Sequence, residues 1–225
     1  PAPAFGTVGV VTVGGRQPDS GNYFVAVFPY PGGYGGHARG DGLVNGTPPV
    51  SMANFMSIEM SEHRYPLEFE EFAIREDSGG AGRFRGGCGT QYRFKVRSEC
   101  VISALGDRVD QLPFGVAGGK PAAPSQVRFT VGGKPMTPAM RSKIEKQRML
   151  AGDSLAAASP GGGGFGDPLT RDLESVEKDL NLGYISRRTA EEVYGAVVAE
   201  SPRRAGSRPE RPAARCSSRC RPTRP

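Results

Sequence analysis

The sequence predicts an α+β protein: a mainly antiparallel β-sheet body with glycine-rich loops, one internal helix and two C-terminal helices. Three observations carry this reading. Short β-branched and aromatic runs bounded by Gly and Pro recur between residues 7 and 158. Two of them alternate apolar and charged residues with the period of a half-buried strand. Apolar residues at three- and four-residue steps occur once inside the chain and twice near its C-terminal end. Many strands followed by two helices is the order of an α+β fold.

Residues 7–13 and 22–28 are the first two strands. Met52, Phe55, Met56 and Met60 then mark a helix over 50–62, with the methionine stripe in the core. His63 stands at the helix end, where a positive charge suits the dipole. Residues 68–75 place Phe69 and Phe72 around Glu70 and Glu71, and residues 91–97 set Tyr92, Phe94 and Val96 opposite Arg93, Lys95 and Arg97. The glycine knot at 79–89 joins these two strands as a hairpin with a wide loop. Cys100–Leu105 and Gln126–Val131 follow, the second ending at the turn signal Gly132-Gly133. Gly152-Asp153 leads into Ser154–Ala158, the last strand. Asp172 caps a helix carrying Leu173, Val176 and Leu180. Ser186 caps another, striped by Ala190, Val193, Tyr194, Val197 and Val198 and ended by Ser201-Pro202.

Composition and charge divide the chain in two. Residues 1–200 are one folded body with a net charge near −1, whereas 201–225 hold eight Arg against Glu210. The tail also holds five Pro and almost no large apolar residue, which describes a solvated, disordered end. Two other readings fit it: an arm for anionic partners, or out-of-frame translation of GC-rich coding sequence. No nucleic-acid or membrane partner is expected. Cys88 and Cys100 are expected as free thiols, and Cys216 and Cys220 lack the companions of a zinc site. No run reaches ~18 continuous apolar residues and no signal peptide is visible, so the expected compartment is cytoplasmic. The first residue is Pro, which points to a piece of a longer chain.

Gly is 33 of the 225 residues, about twice its usual ~7% share. It concentrates in three knots, each beside a charge: 32–42, 77–87 and 159–168. Glycine belongs where φ is positive or where backbones approach closely. Gly161, Gly163 and Gly166 satisfy G-x-G-x-x-G, but no long buried strand precedes them, no βαβ unit follows, and Asp167 and Asp172 oppose a phosphate. That run is expected to be a tight turn into the C-terminal helices. The stretch 115–121 fails as a phosphate loop, because its first Gly is one residue too close and Pro121 replaces the Ser or Thr. His37 and His63 are not in ligand spacing, and no nucleophile elbow is present. Arg83 and Arg85, two apart, suit either a carboxylate or phosphate ligand or pairing with Glu76 and Asp77 to hold the loop.

Taken in order, seven motifs resemble the hydantoinase B/oxoprolinase family. They are Gly32-Gly33-Tyr34-Gly35-Gly36 with Asp41-Gly42, Met52-Ala53-Asn54, Arg64-Tyr65-Pro66, the run Asp77 to Gly87, Gly118-Gly119-Lys120-Pro121, the run Pro160 to Pro168, and Gly183-Tyr184-Ile185-Ser186. The resemblance covers about residues 5–200 and implies the C-terminal part of a B-type subunit. It implies an A-type partner subunit that binds ATP with Mg and phosphorylates the substrate oxygen, and a B-type subunit that helps open a cyclic amide such as hydantoin or 5-oxoproline. Phosphorylation turns a poor ring electrophile into one with a good leaving group. Ketone carboxylases of the same family imply an alternative, and a non-catalytic β-rich assembly module is another. The resemblance also implies a divalent metal held by His and Asp residues in an N-terminal half, for which this sequence has no matching His-x-x-Asp segment. By motif position, Asp41 and Asn54 are the expected catalytic residues. Gly33, Gly36, Arg39, Arg83 and Arg85 are the expected substrate-binding residues, and no metal ligand is assigned.

Overall fold

The computed structural model describes residues 1–47 and 55–198. In chain order the elements are β1 (Gly9–Arg16), β2 (Tyr23–Tyr30), α1 (Ile58–Arg64), β3 (Leu67–Ile74), β4 (Thr90–Val96), β5 (Cys100–Leu105), β6 (Gln126–Val131), β7 (Lys134–Met136), β8 (Ile144–Met149), β9 (Ser154–Ala158), α2 (Leu173–Leu182) and α3 (Arg187–Glu192). The strands form two sheets, ordered β2-β1-β5-β8 and β3-β4-β9-β6-β7, and every pairing is antiparallel. The predicted α+β class holds.

The two sheets share one apolar core. Val11, Val13, Phe24, Ala26 and Phe28 line it from the first sheet, and Tyr92, Phe94, Val96, Phe129 and Leu155 from the second. Phe28 meets Phe94 with ring centroids 5.9 Å apart and Phe69 edge-on at 5.6 Å. Alternation in β4 is the cause on one side: Tyr92, Phe94 and Val96 are buried while Arg93, Lys95 and Arg97 face water. In β3 the register slips between Phe69 and Glu71. This bulge explains why two glutamates stand between two phenylalanines in an otherwise alternating strand.

Three expectations need correction. Helix α1 starts at Ile58, capped by the Ser57 side chain, and Met60 is 53% exposed. Of the expected apolar stripe, Phe55 reaches the core and the methionine at 60 does not; residues 50–54 lie outside the described residues. Helix α3 ends at Glu192, and Gly195 (φ 67°) turns the chain, so Val197 is exposed instead of continuing the stripe. Strands β7 and β8 are absent from the sequence reading. The arginine-rich tail also lies outside the described residues.

The third correction concerns the glycine knots, which build a layer of their own. Residues 160–166 are not a tight turn but the extended hub of a bundle of glycine-rich segments. Gly162, Gly163 and Gly164 donate in turn to three different segments, at Gly87 O (2.9 Å), Pro3 O (3.0 Å) and Lys120 O (3.0 Å). Their carbonyls accept from three more positions: Gly80 N (2.8 Å), Gly36 N (2.8 Å) and Val116 N (2.9 Å). None of the glycines at 32–36, 79–87 or 161–164 has a positive φ. They are glycine because a Cβ would collide with a neighbouring main chain. At Gly162 it would overlap the Tyr34 carbonyl and lie 2.5 Å from Gly35 N.

The C-terminal helices close this bundle from one side. Asp172 caps α2 by accepting from Ser175 N, Gly183 (φ 68°) ends it, and Ser186 caps α3. Val176, Ile185, Ala190 and Tyr194 bury a second, smaller apolar cluster against Ala81 of the middle knot.

Candidate functional site

Where the three knots meet, four charged side chains interlock. Arg85 comes from the middle knot and is 3% exposed. Its Nε donates to Asp179 Oδ2 (2.9 Å) and its Nη2 to Asp179 Oδ1 (3.0 Å). Arg171 follows the third knot and forks onto the first: Nη1 and Nη2 donate to Asp41 Oδ1 and Oδ2, both at 2.7 Å. Arg171 Nη2 also donates to Asp179 Oδ2 (2.7 Å), so Asp179 of α2 bridges two guanidiniums. The Arg85 main-chain N–H completes the set by donating to Asp41 Oδ1 (2.7 Å). Forked, charge-assisted bonds of this kind are the strongest polar contacts a protein makes.

The arrangement determines ionisation. Burial by itself would raise the Asp41 carboxyl, but the Arg171 hydrogen bonds, the charges of Arg171 and Arg85 and the Arg85 N–H together hold it below the usual carboxylate range. Burial disfavours the charged form of Arg85, and its bonds to Asp179 more than reverse that. Asp41 is therefore a fixed anion and a weak proton acceptor. Its depressed folded value stabilises the protein above the unfolded-state value of ~3.9; this contribution is lost as pH falls from there through the lower folded value. Urea midpoints measured from pH 6 down to pH 2.5 should fall in that acid window, and Asp41→Asn should flatten the fall. An unchanged slope in the variant would contradict this.

Asp41 is the partly open member, with its side chain 35% exposed. It borders two cavities. One, of about 540 Å³, is also lined by Gly40, Arg83, Phe84, Thr170, Arg171 and Asp172. The other, of about 450 Å³, is also lined by Tyr34, His37 and Leu43. Arg83 is exposed at the first cavity, its guanidinium 5.5 Å from the Phe84 ring centroid. His37 is exposed in a tight turn, where its Nδ1 accepts from Arg39 N (3.2 Å).

The structure thus brings Asp41, Arg83 and, behind them, Arg85 into one place. Arg39 is exposed on the neighbouring turn. Gly33 and Gly36 are buried in the bundle, where a Cβ on Gly33 would lie 2.7 Å from Gly162 N and one on Gly36 would lie 3.2 Å from Arg85 O. Asn54 lies outside the described residues. The pairing expected for the arginines differs from the one found. Arg85 bonds Asp179, while Asp77 instead accepts from Ser186 N (2.8 Å). Sequence reasoning missed Arg171 and Asp179. A signal existed for the second: Asp179 is three residues beyond Val176, a carboxylate on the apolar face of α2.

Among the described residues no group of three or more His, Cys, Asp or Glu is placed to hold a metal ion. Both Asp41 oxygens are taken by Arg171. In the 115–121 loop, Val116 N donates to Gly164 O (2.9 Å), Gly119 N to Val116 O (3.1 Å) and Lys120 N to Ala81 O (2.7 Å), so these three amides are engaged in the bundle. The amides of Gly162, Gly163, Gly164 and Gly166 are likewise bonded inside the bundle. Cys88 and Cys100 are buried free thiols. Burial pushes the Cys88 thiol up despite nearby Arg85, and pushes Cys100 up to about 12, so neither is an activated nucleophile. No helix among the described residues is long and apolar enough to cross a membrane.

Comparison with known proteins agrees with this geometry. The chain is 31% identical over 147 residues to the caprolactamase subunit beta of Pseudomonas jessenii, covering 63% of this chain and 25% of that protein. Its fold matches the crystal structure of the ATP-dependent caprolactamase from Pseudomonas jessenii with a TM-score of 0.72 at 25% identity, over 88% of this chain and 35% of that one. It also matches a nucleotide-free acetone carboxylase with a TM-score of 0.67 at 26% identity, over 88% and 31%. The chain spans between a quarter and about a third of the length of these relatives. The family model for hydantoinase B/oxoprolinase matches residues 1–168. With the glycine bundle, the two sheets and three quarters of its length accounted for by that match, the chain belongs to the hydantoinase B/oxoprolinase family.

Proposed function

We propose that this chain is the C-terminal part of the B-type subunit of an ATP-dependent cyclic amidohydrolase, acting on a hydantoin-, lactam- or 5-oxoproline-like ring. It works with an A-type subunit that binds ATP and Mg and with the N-terminal half that carries the divalent metal. Here the glycine bundle is a rigid wall, Asp41 presents a fixed charge at its opening with Arg83 beside it, and Arg39 stands on the neighbouring turn. Asn54, the other expected catalytic residue, is kept as part of the proposal by motif position alone. The observation that carries the reading is membership of the hydantoinase B/oxoprolinase family together with a fold shared with the ATP-dependent caprolactamase, of which the chain spans about a third. The cytoplasm, where ATP is available, is the compartment this activity requires.

The test is reconstitution. The purified chain with ATP and hydantoin, caprolactam or 5-oxoproline should show no ring opening. The complex with an A-type subunit and an N-terminal half should couple ATP hydrolysis to it. Ring opening by the chain alone without ATP would overturn the proposal. The likeness to acetone carboxylase supports a second reading, ketone carboxylation, which a bicarbonate requirement in the same complex would select.

A further inference from the structure

A separate cavity of about 690 Å³ opens where β5 ends and β8 begins, and it shares no lining residue with the two at Asp41. Its volume falls within the range of small-molecule sites. Two loops, around 107–111 and 139–143, form its walls, and Gly6 and Thr7 form one side. Five charged residues line it: Asp107, Arg108, Asp110, Arg141 and Lys143.

Both carboxylates already have partners. Lys143 Nζ lies 3.2 Å from Asp107 Oδ1, and Arg141 pairs with Asp110. The Thr7 side chain also bonds Asp107. Arg108 makes no ion pair with any described residue, so it is the cavity's spare cation. Its backbone sits at φ 62°, a left-handed conformation that glycine enters freely and L side chains enter at a cost. Its carbonyl accepts from Ser125 N (3.0 Å), which anchors that conformation. The side chain lies over Gly6, where an added Cβ would be 3.2 Å from Arg108 Nε and 3.4 Å from its Cγ. An arginine is thus kept in a glycine-like conformation with a glycine beneath it, and beyond a through-space attraction to Asp107 its guanidinium has no ion-pair partner among the described residues. Strained positions of this kind concentrate at ligand sites.

We propose that this cavity binds a small-molecule carboxylate, with Arg108 as its anchoring cation. A planar carboxylate matches the guanidinium fork. Asp107 and Asp110 disfavour a dianion, which selects against phosphate. Exposed Met140 supplies an apolar lip for a short hydrocarbon chain.

The test is calorimetric titration of the full chain with butyrate, and separately with inorganic phosphate, at constant ionic strength. Butyrate should bind in the millimolar range and phosphate at least tenfold more weakly. Arg108→Gly should weaken butyrate at least tenfold while the unfolding temperature holds or rises, since glycine suits φ 62°. Arg108→Gln should lose affinity to the same extent, giving a second reading independent of backbone freedom. The arginine-rich tail is unchanged in both variants and cancels from the comparison. Butyrate binding that survives both substitutions, no butyrate binding by the unmodified chain, or phosphate binding as tightly as butyrate would each overturn the proposal.

Discussion

Replacing Gly162 by alanine is expected to cost about 3 kcal/mol or more, at the upper end of overpacking substitutions, and to leave much of the protein unfolded or insoluble at 37 °C. The added methyl has nowhere to go. Its nearest neighbours are main-chain atoms, the Tyr34 carbonyl and Gly35 N at 2.5 Å, which have no rotamer to change. Relief requires the 32–36 segment to move away. That segment is held to the hub by Gly33 N to Pro160 O (3.1 Å) and Gly36 N to Gly163 O (2.8 Å), so the displacement spreads through the bundle. The measurement is a urea unfolding curve beside that of Gly132→Ala. Gly132 has open space around it and is penalised only by its φ of 56°. A Gly162→Ala midpoint equal to that of Gly132→Ala would refute the steric account.

The second large effect is expected at Asp179. Asp179→Ala should destabilise by about 3–5 kcal/mol, because it strands two buried cations facing one another. Arg85 loses both its forked partners, and Arg171 keeps Asp41 but loses the bridge. Asp179→Asn should recover only part of this, since an amide keeps one acceptor and brings a donor against the guanidiniums. Asp179 ties α2 to the bundle, so hydrogen exchange should show α2 and α3 released before the sheets. A loss under 1 kcal/mol, or exchange rising uniformly over the chain, would mean that the helices are held by Val176, Ile185 and Tyr194 alone.

The sheets were legible because alternation is a local property. Tyr92, Phe94 and Val96 declare their face within five residues, and the antiparallel β3–β4 hairpin follows from two such strands with a glycine loop between them. Strand β8 was not legible. It pairs only with β5 at a sheet edge, carries Glu145, Lys146 and Arg148 with no apolar run, and is broken by Lys146 at φ 54°. The methionine reading failed at Met56 and Met60, which are exposed, because the stretch is anchored by Phe55 ahead of a short helix and the spacing alone does not show which of its apolar residues is buried.

The site was legible in part. Asp41 and the middle-knot arginines stood out as charges fixed among glycines, and the structure does gather them. Their partners did not stand out. Arg171 is 130 residues from Asp41, and Asp179 is 94 from Arg85, so no spacing rule joins them. The glycine knots were the clearest sequence signal and the least decipherable. A glycine run has no side chain to record which backbone it touches, so close packing and a flexible turn look alike in sequence.

The bundle also constrains the order in which this protein can be made. Its segments begin near residue 2 and are separated along the chain, yet each of them also bonds to a hub at 160–166. Helices and hairpins mature as they leave the ribosome; a structure whose centre is synthesised after its periphery does not. Until that late stretch emerges, the earlier glycine strands can pair among themselves, as Gly42 N does with Arg85 O and Gly87 N with Tyr34 O, but lack their hub partners, and non-local pairing of this type belongs to the slow, millisecond-to-second regime. During that interval, nascent chains depend on chaperones more than their final rigidity would imply.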